Sequence, residues 1–242
     1  MPNINISPYL IINGKSSREI NGLLIQSLAP ITKAPVKTKI ETIDGRDGDI
    51  VTELGFNAYD KYITIGLTYN YDIDEVIDFF NSKGSVIFSN EPDKVYTFAI
   101  YSQIDFERLI RFKTAEVIMH VQPFKFSTKE EALSFNITEN PQSVKVRNAG
   151  TYYATPILRI TASGTVSVSL NGTEILEIEF GETSQTIIID ADKLNAYDTS
   201  GNLLNRLVTG DYDNIKFKVG NNTITTTGAV TELVVDKYSR WL

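Results

Sequence analysis

The chain has 242 residues, 42% of them hydrophobic, with 12 Phe and 12 Tyr, which is enough for a sizeable core in one or two domains, two being preferred. Lys and Arg number 23 against 30 Asp and Glu, a net charge of −7 with no basic run or Arg-rich stripe, and this argues against specific nucleic-acid binding. No apolar stretch reaches the roughly 18 residues of a membrane span, and zero cysteines remove disulfides, thiolate metal sites and cysteine nucleophiles together.

The opening "MPNINISPYL" lacks the charged and apolar regions of a secretory signal, so the chain is expected to stay in the cytoplasm that makes it. Next, "INGLLIQSL", "VKTKIETI" and "KYITIGLTYNY" alternate apolar and polar residues with the period of half-buried strands. Between the last two lies "IDGRDG", residues 43–48, with two glycines and three charged residues. In "YDIDEVIDFFNSKG", Ile73, Val76, Ile77 and Phe80 fall at i, i+3, i+4 and i+7 and predict one short helix buried on that face. Asp72 and Glu75 form a capping pair for its start, and Gly84 is expected to end it in a left-handed conformation. The stretches "SVIFSN", "KVYTFAIYSQIDF" and "AEVIMHVQPFKFS" follow as strands. Val117, Met119 and Val121 share one face of the last, and Pro123, which cannot donate to a ladder, belongs at its end or on an edge.

The polar, poorly periodic "STKEEALSFNITENPQS" marks a domain boundary. Beyond it, Thr, Val and Ile crowd into short strands with turn signals every 8 to 12 residues or so, including the hairpin pair Asn171-Gly172. The fold class is therefore mainly β: a β-rich domain with one short helix over 1–130, then an antiparallel β-sandwich over 131–242.

Chemistry-bearing residues are sparse. His120, the sole histidine, lies on a strand without a Cys partner, a second His or a G-x-S-x-G elbow, and is read as structural. The pairs Asp190/Asp192 and Asp211/Asp213 invite a calcium or glycosidase reading, but "DADKLNAYDTSG" has Asn195 and Gly201 where a calcium loop needs Gly and Glu. They are expected on solvated hairpin edges. Three sequons, at Asn136, Asn171 and Asn222, carry no meaning without export. Tyr152-Tyr153 and Trp241 could stack on a sugar, although packing is the commoner use of such aromatics. No catalytic, metal or cofactor site follows from these residues.

Taken in order, "GLLI", "IDGRDG", a short helix, "VIFSNEPDKVYTFAI" and "EVIMHVQPFKF" resemble the N-terminal domain of the distal tail protein (Dit) family of long-tailed phages, the siphophages, that infect Gram-positive bacteria. The second half is similar too, through "NAGTYYATPILRI", "SLNGTEI", "IIIDADK", the turn Gly220-Asn221-Asn222 and the finish "KYSRWL". The resemblance covers nearly the whole chain. It implies a structural baseplate protein of the virion tail tip, assembled in the host cytoplasm, whose 1–130 domains close a homo-hexameric ring carrying galectin-like 131–242 domains outside. It also implies the partners: the major tail (tube) protein, the tail-associated hub protein, receptor-binding proteins, and the tape-measure protein, which passes with DNA through the channel. Phage, prophage and tailocin origins all fit. The alternative is an adhesin that recognises cell-wall carbohydrate through the C-terminal domain, although 242 residues leave no room for the inserted sugar-binding module of larger relatives. A hydrolase is the third class.

On this resemblance Asp44, Gly45, Arg46, Asp47 and Gly48 become interface candidates. A plain hairpin needs only "DG", whereas here Arg46 stands between two flexible glycines and two aspartates. Glycine lets backbones approach closely, and the guanidinium offers a planar fork to a neighbour's carboxylate.

Overall fold

The computed structural model describes residues 7–81 and 83–242, so the opening residues 1–6, part of the stretch on which the absence of an export signal was read, fall outside it. Two compact units form, one of residues up to Thr128 together with Leu242, the other Lys129–Trp241.

The first unit contains β1 (Leu10–Ile12), β2 (Lys15–Ser16), β3 (Leu23–Ser27), β4 (Val36–Thr42), β5 (Asp49–Phe56), β6 (Tyr59–Leu67), helix α1 (Ile73–Phe80), β7 (Lys83–Phe88), β8 (Lys94–Ala99), helix α2 (Phe106–Phe112) and β9 (Thr114–Ser127). Seven of these strands make one antiparallel sheet in the order β2-β1-β7-β8-β9-β6-β3, while among the described residues β4 and β5 pair only with each other. Alternation sorts the faces. Ile63 and Ile65 on β6 and Val117, Met119 and Val121 on β9 are fully buried and pack with Val76, Phe79 and Phe80 of α1, whereas Asp60 and Tyr62 face out.

Around α1 the structure departs from the expectation in three ways. Asp72 caps it, accepting from the N–H groups of Asp74 (3.0 Å) and Glu75 (3.2 Å), but the Glu75 carboxylate turns away to accept from the Asn21 N–H (3.1 Å) and to pair with Lys15 (3.4 Å). Ile77 lies at the rim, and Phe79 takes the buried place. The helix ends at Phe80, where the Asn81 N–H returns to Ile77 O at 2.9 Å. Gly84 instead sits inside β7 at φ +136°, where a Cβ would meet Asn13 Oδ1 at 2.3 Å. Its missing side chain makes room for Asn13, which accepts from the Ser85 N–H (2.9 Å) and donates to Lys83 O (3.1 Å).

A second helix, α2, starts at Phe106, the last residue of the strand-like stretch "KVYTFAIYSQIDF", and fills the segment before β9. β8 stops at Ala99, and Asp105 accepts from the Arg108 N–H at 2.8 Å to start a helix that buries Leu109 and ends at Lys113, φ +55°. Pro123 lies within the long β9 rather than at its end. Tyr96 pairs with Lys125 and Phe98 with Val121, so two extra β9 residues bulge out between these rungs, and β6 has already finished pairing at Val121. The missing proline N–H therefore breaks no ladder.

The second unit comprises β10 (Leu133–Asn136), β11 (Gln142–Asn148), β12 (Ile157–Leu170), β13 (Thr173–Glu179), β14 (Gln185–Asp190), β15 (Asn195–Tyr197), β16 (Val208–Gly210) and β17 (Gly220–Asp236). Its scaffold is the antiparallel pair β12 and β17, whose register shifts between Thr161 and Ala162 and again between Ser163 and Ser167. These breaks bend both strands, so that β10 and β14 flank one end and β11 and β13 the other. The result is an antiparallel sandwich closed over Ile160, Val166, Val168, Ile187, Phe217 and Leu233. Asn171 (φ +53°) and Gly172 (φ +89°) form the two-residue turn from β12 to β13. The polar stretch read as a boundary contributes β10, four residues paired to β17.

Candidate functional site

The feature of the first unit least explained by its own core is the hairpin of β4 and β5. Its register runs from Val36 opposite Phe56 to Thr42 opposite Asp49, with Leu54 an extra residue between the Lys37–Gly55 and Thr38–Glu53 rungs. At about 3.3 Å per residue the arm is roughly 25 Å long. Exposure is high along both strands. One face carries Ile40 (61% exposed) opposite Val51 (57%), flanked by Thr38, Glu53, Thr42 and Asp49; the other carries Lys37, Lys39 and Glu41, with Lys39 and Glu41 paired at 2.5 Å.

At the tip the structure places Asp44, Gly45, Arg46, Asp47 and Gly48 together and in the open. The Arg46 N–H closes the turn on Ile43 O at 3.2 Å, and Thr42 Oγ1 donates to Asp49 Oδ1 at 3.0 Å. Gly45 and Gly48 have φ of +82° and +77°, and nothing lies within 4 Å of where a Cβ would stand. Within one chain these glycines serve the turn, not a close approach of backbones. Among the described residues the side chains of Asp44, Arg46 and Asp47 make no hydrogen bond or ion pair.

The root of the hairpin is firmly tied. The Asn57 N–H donates to Pro35 O at 2.8 Å, and Phe56 meets Phe124 edge to face at 5.8 Å. Beneath it lies a buried polar group that the sequence reading missed: Lys61, 3% exposed, donating to Pro30 O at 3.1 Å, and Lys125, 7% exposed, joined to Glu91 at 2.5 Å. The Tyr96 hydroxyl donates to the other Glu91 oxygen, and burial, with that carboxylate beside it, holds the phenol far above its ordinary range.

Several of the other singled-out residues make contacts within the chain. His120 Nδ1 lies 2.7 Å from Asp60 Oδ1, its partner across β6 and β9, with the Tyr101 ring at 5.8 Å. Asp190 is not on a solvated edge: it is 2% exposed and accepts from the N–H groups of Asp192 (3.1 Å) and Lys193 (3.0 Å) and from Lys193 Nζ (2.9 Å). Asp192 pairs with Arg240 at 2.7 Å. Asp211 caps a 3-10 turn, and Asp213 pairs with Lys216 at 3.4 Å. Of the sequons, Asn222 is 1% exposed and holds the turn before β17, accepting from the Lys218 N–H (3.0 Å) and Asn171 Nδ2 (3.1 Å) while donating to Lys218 O (2.8 Å) and Gly220 O (3.1 Å). Tyr153 stacks on Tyr152 with centroids 4.5 Å apart, and Lys216 and Arg240 lie over its ring at 5.4 and 5.6 Å. The finish "KYSRWL" is a latch: the Ser239 N–H and Oγ both donate to Glu130, at 2.7 and 2.6 Å. Among the described residues no three His, Asp or Glu side chains gather as a metal site.

No family model matches the sequence, and no curated protein does. Among solved structures the chain is similar to the SPP1 Dit (gp 19.1) protein, described as a paradigm of the hub adsorption apparatus in phages infecting Gram-positive bacteria, with TM-score 0.71 and 15% identity over 96% of this chain and 100% of that one. Looser similarities are to the phage P2 baseplate in its activated conformation with Ca (TM-score 0.43, 10% identity, 93% of this chain and 99% of that one) and the same baseplate with Sr (0.40, 8%, 96% and 98%). The first establishes a shared fold along almost the entire chain.

Proposed function

We propose that this chain is a structural protein of a phage tail tip. In this reading six copies close a ring through their N-terminal units, domain 1–130, and carry the 131–242 sandwiches outside it. The ring joins the tail-tube protein to the tail-associated hub protein and leaves a channel for tape-measure protein and DNA; receptor-binding proteins attach around it. It performs no catalysis. The fold shared with SPP1 Dit supports this role, since that protein is described as a hub.

The observation that carries the reading is the hairpin. A two-stranded ribbon in water is marginal alone, yet among the described residues this one leaves both edges unpaired and both faces open, with Ile40, Ile43, Val51 and Leu54 each 47% exposed or more. Such a surface is made to be covered. Ring closure requires two different faces of each subunit to meet, and an arm reaching from one subunit to the next supplies one of them. Asp44, Arg46 and Asp47, without partners among the described residues, then face opposite charges on a neighbour or on an axial partner.

Light scattering and negative-stain imaging of concentrated protein, alone and with tube or hub protein, test this. The expected particle has six times the 27.0 kDa mass of one chain. No ring under any of these conditions overturns the reading; Arg46→Glu assembling as well as wild type overturns only the role given to the tip. Saturable binding of host polysaccharide by the full chain without ring formation supports the adhesin instead.

A further inference from the structure

The hairpin hangs from an irregular strap, residues 28–35, that follows β3 and has no ladder of its own. Polar contacts hold it: Asn90 Nδ2 donates to Ala29 O at 3.0 Å, Lys61 Nζ donates to Pro30 O at 3.1 Å, the Tyr59 side chain hydrogen-bonds Thr32, and at the hairpin root the Asn57 N–H donates to Pro35 O at 2.8 Å. Lys61 is the unusual member. It points from β6 to the buried side of the sheet, and the rings of Tyr96, Phe88 and Tyr59 surround its ammonium at 5.2, 5.3 and 5.7 Å. The carboxylate nearby, Glu91, is already held by Lys125 and the Tyr96 hydroxyl.

We infer that Lys61 is a positioning residue: its buried ammonium pins the strap and so fixes where the hairpin leaves the sheet. A buried charge is a poor way to stabilise a core, because desolvation opposes it and an apolar side chain of similar volume commonly does as well or better. Here the nearby carboxylate, Glu91, pairs with Lys125. Burial lowers the Lys61 pKa, Glu91 pushes it up and Lys125 pushes it down, with burial prevailing. The folded chain thus disfavours charged Lys61, and this penalty is relieved as pH rises through the folded pKa towards that of an ordinary lysine. What the ammonium supplies in return is reach, a donor for the Pro30 carbonyl, and cation–π contacts on three rings. Pro30 is itself exposed between the buried Ala29 and Ala34 of the strap, and its carbonyl adds a fixed point to theirs.

The pin belongs to the single chain and stands whether or not a ring forms. NMR backbone order parameters at residues 31–34, read beside thermal melting, test it with Lys61→Met and Lys61→Arg. The inference expects Lys61→Met to melt no lower than wild type while order parameters in the strap fall from about 0.85 to below about 0.6. Lys61→Arg, which keeps a charged donor, should restore the strap. A strap as rigid in Lys61→Met as in wild type overturns the pin. A melting temperature that falls in step with strap order also overturns it, making Lys61 an ordinary core residue. Asn90→Ala, which removes only the neighbouring bond to Ala29 O, gives a second arm, expected to loosen the same residues to a smaller degree; no change there also counts against the strap being held by these bonds.

Discussion

The two units treat apolar surface in opposite ways. Among the described residues, 12 of the 16 exposed large hydrophobic side chains belong to the N-terminal unit, four of them on the hairpin from Ile40 to Leu54. The sandwich exposes only Leu194, Leu203, Val219 and Tyr238. Within it, Asn222 and Asp190 each collect several bonds inside tight turns. On the proposed assembly, the N-terminal unit is the half whose exposed apolar surface contacts outside the chain would cover.

The sharpest break of this contrast is in the sandwich core. Ile160, fully buried on β12 where that strand meets both β14 and β17, should cost about 2–5 kcal/mol of the unit's stability when changed to Ala. Urea unfolding measures it, and a loss below about 1 kcal/mol would mean the core is looser than a closed sandwich. Next in size is Asn222→Ala, which orphans the Lys218 and Gly220 carbonyls and the Lys218 N–H at the head of β17; about 2 kcal/mol is expected. An effect near zero would show that water replaces the side chain and that the turn is not a fixed part of the sandwich.

A smaller, pH-dependent effect comes from Asp190. Burial raises its pKa, but the Lys193 ammonium and the amides of Lys193 and Asp192 more than offset this, and the net shift is downward. A carboxyl with a depressed folded pKa contributes stability at pH above the unfolded value, near 3.9, and loses it as pH falls through the folded one. Wild type should therefore lose stability on acidification from about pH 5 downward, and Asp190→Asn should start lower at neutral pH and fall less steeply. Denaturation curves of equal steepness in acid would remove Asp190 from the account.

What could be read in the sequence follows physical range. Alternation in "KYITIGL" and "AEVIMHV" reports which face is buried because the pleat has period two, and Asn171-Gly172 reports a turn because both residues must adopt positive φ. Helix α2 was lost because seven residues span barely two turns, too few for a period, although Asp105 three residues before Arg108 is the capping signal that could have found it. Gly84 misled because a glycine after a helix usually ends it, while here the constraint is a side chain 71 positions away, Asn13. The Lys61 group was invisible for the same reason. Nothing local marks a lysine as buried, and its acceptor at Pro30 and rings at Phe88 and Tyr96 meet only in the folded sheet. The tip at Asp44 to Gly48 was legible as a loop from its two glycines, but the two open faces of the arm behind it required the register.

The smallest expected effect on the single chain tests the comparison most closely. Ile40 and Val51 face each other across the hairpin and are both more than half exposed, so Ile40→Thr with Val51→Thr keeps β-branched strand formers and removes little buried area. Unfolding free energy of the isolated chain should change by no more than about 0.5 kcal/mol. In an assembly where that face is covered, the same pair loses two apolar anchors, each worth about 1.5–3 kcal/mol when fully buried, and association should weaken by ten-fold or more. Sedimentation at matched concentrations separates the cases. Unchanged chain stability with weakened association assigns the hairpin face to the interface, whereas a drop in chain stability of 2 kcal/mol or so would mean that the arm already leans on its own unit, and the contrast between the N-terminal unit and the sandwich would fail at its most exposed point.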